Sequence, residues 1–165
     1  MRSRLVFIFG TLLMMLTGCD SHQVYDQYTS VDDSWSKDEA VSFKFEAPDM
    51  TNAYDLFINI RNTNDYQFNN LFLIVEMRYP HGKVTKDTLE YRMAAADGTL
   101  LGDGFTDIKE NKLFYKGMNS GFIFSEEGEY EVVIQHAMRE NGEVRGVEEL
   151  KGVIDVGFRI ERPQN

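Results

Sequence analysis

Alternation of apolar and polar side chains with a period of two runs through most of this chain and constrains its fold more than any other feature. In the segment 41–45, Val41, Phe43 and Phe45 alternate with polar residues. Successive side chains of a strand point to opposite faces, so this pattern is typical of a half-buried β-strand. The same alternation recurs in residues 54–60, 71–79, 87–93, 130–138 and 154–160. Strands of this length without a long helical period predict an all-β fold, an antiparallel β-sandwich of jelly-roll-like or immunoglobulin-like topology.

Turn signals separate several of these strands. In Pro80-His81-Gly82-Lys83, the proline has a fixed φ and the glycine tolerates a positive φ, which predicts a turn. Glu140-Asn141-Gly142 predicts a hairpin-type turn. Residues 148–151 are the only helix candidate of note, and they suffice for one turn.

The first 19 residues predict export and a lipid anchor. Arg2 and Arg4 precede an apolar run from residue 5 to 16, which is shorter than the ~20 residues of a membrane span and typical of a secretory signal. The following Leu16-Thr17-Gly18-Cys19 resembles a bacterial lipobox. That resemblance implies cleavage between Gly18 and Cys19, diacylglyceryl transfer to the Cys19 sulfur and acylation of the new amino terminus, with palmitate among the acyl groups. The alternative is a plain secretory signal with a chance cysteine.

The sequence therefore divides into three parts. Residues 1–18 are the lipoprotein signal peptide, residues 19–38 are the lipidated N-terminus and a tether whose second half docks on the domain, and residues 39–165 are a single β-sandwich domain. After cleavage, 15 basic and 27 acidic residues remain, a net charge of −12. Such a charge opposes binding to nucleic acid and to anionic lipid surfaces, and it favours solubility or basic partner surfaces.

Catalytic and metal-binding motifs do not stand out. No G-x-S-x-G elbow or second cysteine is present, and His22, His81 and His136 lack metal-ligand spacing. His136 shares the parity of core residues, which predicts a hydrogen-bonded core or rim histidine. We therefore expect no catalytic residues, no metal, no cofactor and no small-molecule substrate.

A glycine-rich segment of residues 97–110 raises a calcium hypothesis, because Ca²⁺ takes several oxygen ligands. It contains four acids, Asp97, Asp103, Asp107 and Glu110. The segment lacks the EF-hand register, so we interpret these acids as turn formers and solvated side chains.

Exposed aromatic side chains would suit a sugar-binding surface. Trp35, Tyr66 and Tyr115, with Phe114 as a further candidate, could form such a platform. Most of the 21 aromatic residues fall on core parities, however, which favours packing in the interior.

Several long blocks carry a family resemblance. They are "YDLFINIRNTNDYQFNNLFLIVEMRYPHGKVTKDTLEY", "MAAADGTLLGDGFTDIKENKLFYK" and "LKGVIDVGFRIER", together with the lipobox and the early "VYDQY". These segments resemble the gliding motility-associated lipoprotein GldH family of the Bacteroidetes. The resemblance implies a small envelope lipoprotein needed for adhesin-driven movement and linked to the machinery of the type IX secretion system. It brings no catalytic residues to transfer.

From these observations we expect a non-enzymatic protein that is held at the membrane by lipid on Cys19 and binds envelope proteins of the motility or secretion machinery. We favour the periplasmic face of the outer membrane over the inner membrane. The alternative is a glycan-binding envelope lipoprotein with a domain like a carbohydrate-binding module.

Overall fold

Ten β-strands make up the regular structure of the residues that the computed structural model describes, which are 21–104, 106–117 and 120–163. In chain order they are β1 (Gln23–Ser30), β2 (Ser34–Ser36), β3 (Val41–Glu46), β4 (Asp55–Asn62), β5 (Asn70–Arg78), β6 (Val84–Arg92), β7 (Lys109–Lys116), β8 (Glu129–His136), β9 (Glu149–Lys151) and β10 (Val153–Glu161). Within these ranges, no helix has the length and apolarity needed to cross a membrane.

The strands pair as one long hairpin that has rolled up on itself. Five antiparallel pairs are nested inside one another: β1 with β10, β2 with β9, β3 with β8, β4 with β7 and β5 with β6. Two further pairings, β10 with β4 and β8 with β5, join the longer pairs into sheets of order β1-β10-β4-β7 and β3-β8-β5-β6. The all-β sandwich prediction is confirmed, and this nested order is that of a jelly roll rather than an immunoglobulin sandwich.

The core lies between the inner faces of the two four-stranded sheets. Leu56, Ile58 and Ile60 of β4 are fully buried on one side, and Leu73 and Val75 of β5 on the other. Aromatic rings join the layers, with Phe158 of β10 stacked on Phe43 at 6.3 Å and on Phe45 at 5.5 Å between ring centroids. Period-two alternation therefore places one face of each sheet in the core.

All six strands predicted from alternation are present, as β3, β4, β5, β6, β8 and β10. The predicted turn at 80–83 is closed by the bond from Tyr79 N–H to Lys83 O at 2.8 Å, and Gly82 has a φ of 89°. The helical turn expected at 148–151 is wrong, because residues 149–151 form β9, whose Leu150 is paired with Trp35 in the core.

Strand β1 lies inside the range that the sequence analysis gave to a tether. Residues 23–30 pair with β10 along its whole length, with a register shift between Gln23 and Tyr25. The sandwich therefore begins at residue 23 rather than at residue 39, and only Asp20, Ser21 and His22 separate its first strand from Cys19.

Candidate interaction surface

The side of the β1-β10-β4-β7 sheet that faces away from the core carries a dense polar network. On β4, Asn59 and Arg61 alternate with the buried residues Ile58 and Ile60, so they point outward. We call this surface the charged sheet face, and its polar members are Asp26, Tyr28, Asn59, Arg61, Glu110, Lys112, Arg159 and Glu161.

Tyr28 lies across the sheet because its neighbour on β10 has no side chain. Gly157 is its partner in the strand register, and a Cβ on Gly157 would lie 2.8 Å from two carbons of the Tyr28 ring. The Tyr28 hydroxyl donates to Glu110 Oε1 on β7 at 2.8 Å and accepts from Asn59 Nδ2 on β4 at 2.9 Å. One side chain therefore links the four strands of the sheet.

Arg61 contacts both members of the Tyr28–Glu110 pair. Its Nε donates to Glu110 Oε2 at 2.9 Å, and its guanidinium carbon lies 4.0 Å from the centre of the Tyr28 ring, an arginine–aromatic stack. Burial raises the pKa of Glu110, but hydrogen bonds from Arg61 and Tyr28 outweigh it and leave the pKa below its ordinary value. Burial, and then the bond to Glu110, raises the pKa of Tyr28. Glu110 is thus held as a carboxylate and Tyr28 as a phenol.

A second cluster on the same face is centred on Glu161. Lys112 Nζ lies 2.6 Å from each carboxylate oxygen of Glu161, and Arg159 Nε donates to Oε1 at 2.5 Å. Arg159 Nη1 also donates to Asp26 Oδ2 at 2.6 Å. Burial lowers the pKa of Arg159, but its bonds to Glu161 and Asp26 raise it by more, so the guanidinium stays charged.

Apolar groups flank this second cluster. Lys112 Nζ lies 4.2 Å from the centre of the Phe57 ring, and Phe57 meets Phe114 edge to face at 6.0 Å. Phe57 and Phe114 are both half-buried on the sheet. The face therefore combines fixed charges with partly exposed aromatic area, as protein-binding surfaces commonly do.

Asn59 lies beneath the network and is 1% exposed. Its amide nitrogen donates to Tyr28 and to Asp26 Oδ1 at 3.5 Å, while its Oδ1 has no hydrogen-bond partner among the described residues. A buried polar atom of this kind has an energetic cost, which the surrounding bonds must offset. In chemical terms, the charges of the face are mutually paired, so it presents a fixed pattern of donors, acceptors and rings rather than a free acid or base.

The candidate aromatic platform is not on the surface. Trp35, Tyr66 and Tyr115 are all buried, so the structure corrects the suggestion that they bind a ligand there. Their polar atoms have partners within the chain: Trp35 Nε1 donates to Glu39 O at 2.8 Å, Tyr66 Oη to Asn70 O at 2.6 Å and Tyr115 Oη to Asp87 Oδ2 at 3.0 Å. The three side chains pack in the core, as the sequence pattern favoured for most of the aromatic residues.

The acids of residues 97–110 do not share one site, although Asp103 and Glu110 exchange backbone hydrogen bonds at 2.9 Å. Glu110 belongs to the charged sheet face, Asp107 accepts from Asn64 Nδ2 at 3.1 Å, and Asp97 accepts from Thr99 N–H in its own turn. Across the described ranges, no three His, Cys, Asp or Glu side chains are grouped in a way that could hold a metal ion.

His136 is a core histidine, as its parity predicted. It is buried against Trp35, with ring centroids 5.3 Å apart, and its Nε2 lies 3.0 Å from Trp35 O. Because a carbonyl oxygen can only accept, Nε2 carries the proton. Gly18 and Cys19, the predicted cleavage and lipidation residues, lie outside the described residues.

The charged sheet face was visible in part from the sequence. The outward parities of residues 55–61 and 155–161 contain Asn59, Arg61, Arg159 and Glu161. Gly157, in the middle of an alternating strand, is the kind of glycine that marks a close approach by another group. The contributions of β1 and β7 could not be found in this way, because those strands were not predicted.

Fold and sequence together define a class, the envelope lipoproteins that carry a jelly-roll domain. Within it, this chain belongs to the GldH lipoprotein family, whose profile matches residues 23–160. It is similar to the gliding motility lipoprotein GldH homolog of Christiangramia forsetii, with 52% identity over 160 residues, 97% of this chain and 96% of that relative. It is also similar to the gliding motility lipoprotein GldH of Flavobacterium johnsoniae, with 51% identity over 156 residues, 93% of this chain and 95% of the relative.

Similarity to solved structures is remote. A family GH115 4-O-methyl-alpha-glucuronidase with specificity for decorated arabinogalactans aligns with a TM-score of 0.45 and 9% identity, over 88% of this chain and 18% of that chain. The VP2 subviral particle of infectious bursal disease virus aligns with a TM-score of 0.38 and 11% identity, over 87% of this chain and 34% of that chain. At these scores neither likeness supports a statement about this chain.

Proposed function

We propose that this chain is a lipid-anchored envelope protein that takes part in gliding motility as a non-enzymatic assembly factor. The observation that carries the proposal is the end-to-end similarity to two relatives named for gliding motility. Lipid on Cys19, after cleavage at the Gly18–Cys19 bond, holds the domain at the membrane. We place it on the periplasmic face of the outer membrane, next to proteins of the motility or secretion machinery.

The charged sheet face is the surface that we propose for partner binding. Tryptophan, tyrosine and arginine are the residue types enriched among interface hot spots, and here Tyr28 and Arg61 are stacked and hydrogen-bonded in one arrangement. Their fixed positions reduce the entropy lost on binding. The glycan-binding alternative loses support, because its three candidate aromatic residues are buried.

The binding proposal is tested by paired arginine variants in the native host. Arg61 and Arg78 lie on opposite sheets, have side chains 37% and 48% exposed, and each pairs with two carboxylates. We expect Arg61→Ala to lower the yield of in-cell crosslinked partner by about tenfold and to reduce colony spreading, as for an interface hot spot. Arg78→Ala is the matched control and should change neither. Equal effects of both variants, or no effect of Arg61→Ala, would contradict partner binding at this face.

The anchor is tested separately. Cys19→Ala should release the protein from membranes, because stable attachment requires the acyl chains. Quantitative sedimentation of Cys19→Ala with membranes at high salt would refute the anchor.

A further inference from the structure

The chain enters the sandwich at a fixed point very close to the predicted lipid. Arg162 N–H donates to His22 O at 2.9 Å, and Arg162 Nη1 donates to Ser21 O at 3.3 Å, so the backbone is tied to the end of β10 from Ser21 onward. Cys19 is two residues before Ser21. Since consecutive Cα atoms are 3.8 Å apart, the Cα of Cys19 can lie no more than about 8 Å from that of Ser21.

This entry point defines one end of the sandwich, which we call the anchor end. It contains residues 21–22, 47–54, 79–83, 120–128 and 162–163. Tyr54 and Phe122 exchange backbone hydrogen bonds at 2.9 and 2.7 Å, and Ala47 N–H donates to Gly128 O at 3.1 Å, so the loops are joined. The opposite end, formed by residues 31–40, 63–69, 93–104, 106–108 and 137–148, is the far end. Strands of eight or nine residues, such as β4 and β5, separate the two ends by roughly 30 Å.

Charge is divided unequally between the two ends. The acidic residues of the far-end loops are Asp32, Asp33, Asp38, Glu39, Asp65, Asp97, Asp103, Asp107, Glu140, Glu143 and Glu148, against Lys37, Arg139 and Arg145 as bases. The anchor end has the acids Asp49, Glu126 and Glu127 against the bases Lys83 and Arg162. Negatively charged phosphate headgroups repel the acidic far end, whereas they exert little repulsion on the nearly neutral anchor end.

Two exposed apolar side chains lie on the joined loops of the anchor end. Met50 is 48% exposed and Ile123 is 51% exposed. The Asp49 carboxylate fixes the loop that presents Met50, because it accepts from Thr51 N–H at 2.8 Å and from Asn52 N–H at 2.6 Å. Ile123 sits beside Phe122, whose backbone pairs with Tyr54. Both side chains are thus held outward by ordered backbone.

Exposure alone does not distinguish the two ends. Leu101, Ile108 and Val144 are 36%, 44% and 86% exposed at the far end. The two features that distinguish the ends are the entry point of the chain and the distribution of charge. Both favour the anchor end as the end that faces the membrane.

We infer that the anchor end lies against the bilayer and that Met50 and Ile123 enter its interfacial layer, so that the acidic far end points away from the membrane. The inference rests on the lipid anchor proposed above. Acyl chains on Cys19 hold the protein at the surface, and the two apolar side chains fix its orientation there. With the entry point this close to the lipid, the anchor end stays at the interface whatever partner binds elsewhere.

The test uses the acylated full protein in vesicles of neutral phosphatidylcholine, with and without doxyl-labelled lipid. Cys19 is the only cysteine of the chain, so one added cysteine is a unique free thiol for a fluorescent label. Met50→Cys and Ile123→Cys report on the anchor end, and Leu101→Cys and Val144→Cys are the controls. We expect doxyl lipid to lower the fluorescence at positions 50 and 123 by about twofold and to leave positions 101 and 144 unchanged.

Each other outcome overturns the inference. Quenching at both ends, at the far end alone or at neither end would refute the orientation while the anchor stood. In native membranes, protection of positions 50 and 123 from an aqueous quencher without quenching by doxyl lipid would show a protein partner in place of lipid. If the acylated wild type did not sediment with vesicles at all, the proposed anchor would fail, and the orientation with it.

Discussion

Gly157 illustrates how one missing side chain organises a surface. The Tyr28 ring occupies the space over Gly157, and Tyr28 in turn positions Glu110 and Arg61. We predict that Gly157→Ala lowers the free energy of unfolding by about 1–3 kcal/mol, because the new methyl group displaces the ring. Urea unfolding measures the change. Gly146→Ala is the control, since its nearest neighbour would be Met138 O at 3.5 Å, and it should stay within about 0.5 kcal/mol of wild type. A loss of the same size in both variants would contradict this account.

His136 makes stability depend on pH. Burial lowers its pKa below the ordinary 6.5, while the bond to Trp35 and the charge of Glu149 oppose that shift in part. The unfolded chain therefore binds a proton at this residue more readily than the folded chain, and stability falls as the pH drops through about 6.5.

We predict that His136→Gln reduces this slope. Between about pH 7.5 and pH 5.5, the free energy of unfolding of wild type should decrease by more than that of the variant, as measured by urea midpoints at each pH. His22 and His81 remain in both proteins and serve as an internal control. If the free energy of unfolding decreased equally in both proteins over this pH range, His136 would not govern the dependence.

At the residue scale, the position of a side chain in the alternating pattern predicted its burial better than its chemical type did. Alternation placed His136 in the core, and the same reasoning favoured buried aromatic residues. The suggestion of surface roles for Trp35, Tyr66 and Tyr115 came from residue type alone. Trp35 and Tyr66 lie in or beside short segments, where too few neighbours exist to define a parity.

Among the strands, those with one clearly apolar face were predictable and the others were not. Strand β1 lies at the edge of its sheet with no fully buried side chain, so its sequence resembles a linker. Strand β7 has the polar Asn111 on its inner face, where Asn111 Nδ2 donates to Asn62 Oδ1 at 2.8 Å. A buried asparagine pair interrupts the alternation that sequence analysis depends on.

Strand β1 also provides a direct test of the domain boundary. We predict that a fragment of residues 21–163 folds as a monomer, whereas a fragment of residues 39–163 aggregates or shows no cooperative unfolding. Without residues 21–38, the edge of β10 that pairs with β1 becomes exposed, Phe158 loses the Tyr25 ring 6.2 Å away, and the core loses the buried Trp35 of β2. Size-exclusion chromatography and thermal unfolding compare the two fragments. A stable, monomeric 39–163 fragment would restore the tether interpretation.

At the scale of the whole molecule, the two sheets share one core and should unfold together. Trp35, the only tryptophan, lies in β2 at the far end of the sandwich and is fully buried. We predict that its fluorescence and the far-UV circular dichroism change at the same urea concentration. Separate midpoints would show that the β2–β9 region opens independently of the four-stranded sheets.

The nested pairing of the strands determines when the first strand can fold. The outermost pair joins the first strand to the last, so β1 finds its partner only after β10 has been made. Pairing across nearly the whole chain gives a high contact order, which slows folding. If Cys19 is acylated as proposed, the amino terminus would sit in the membrane beside an unpaired strand during that interval. We therefore expect this chain to depend on factors that hold unfinished chains during export.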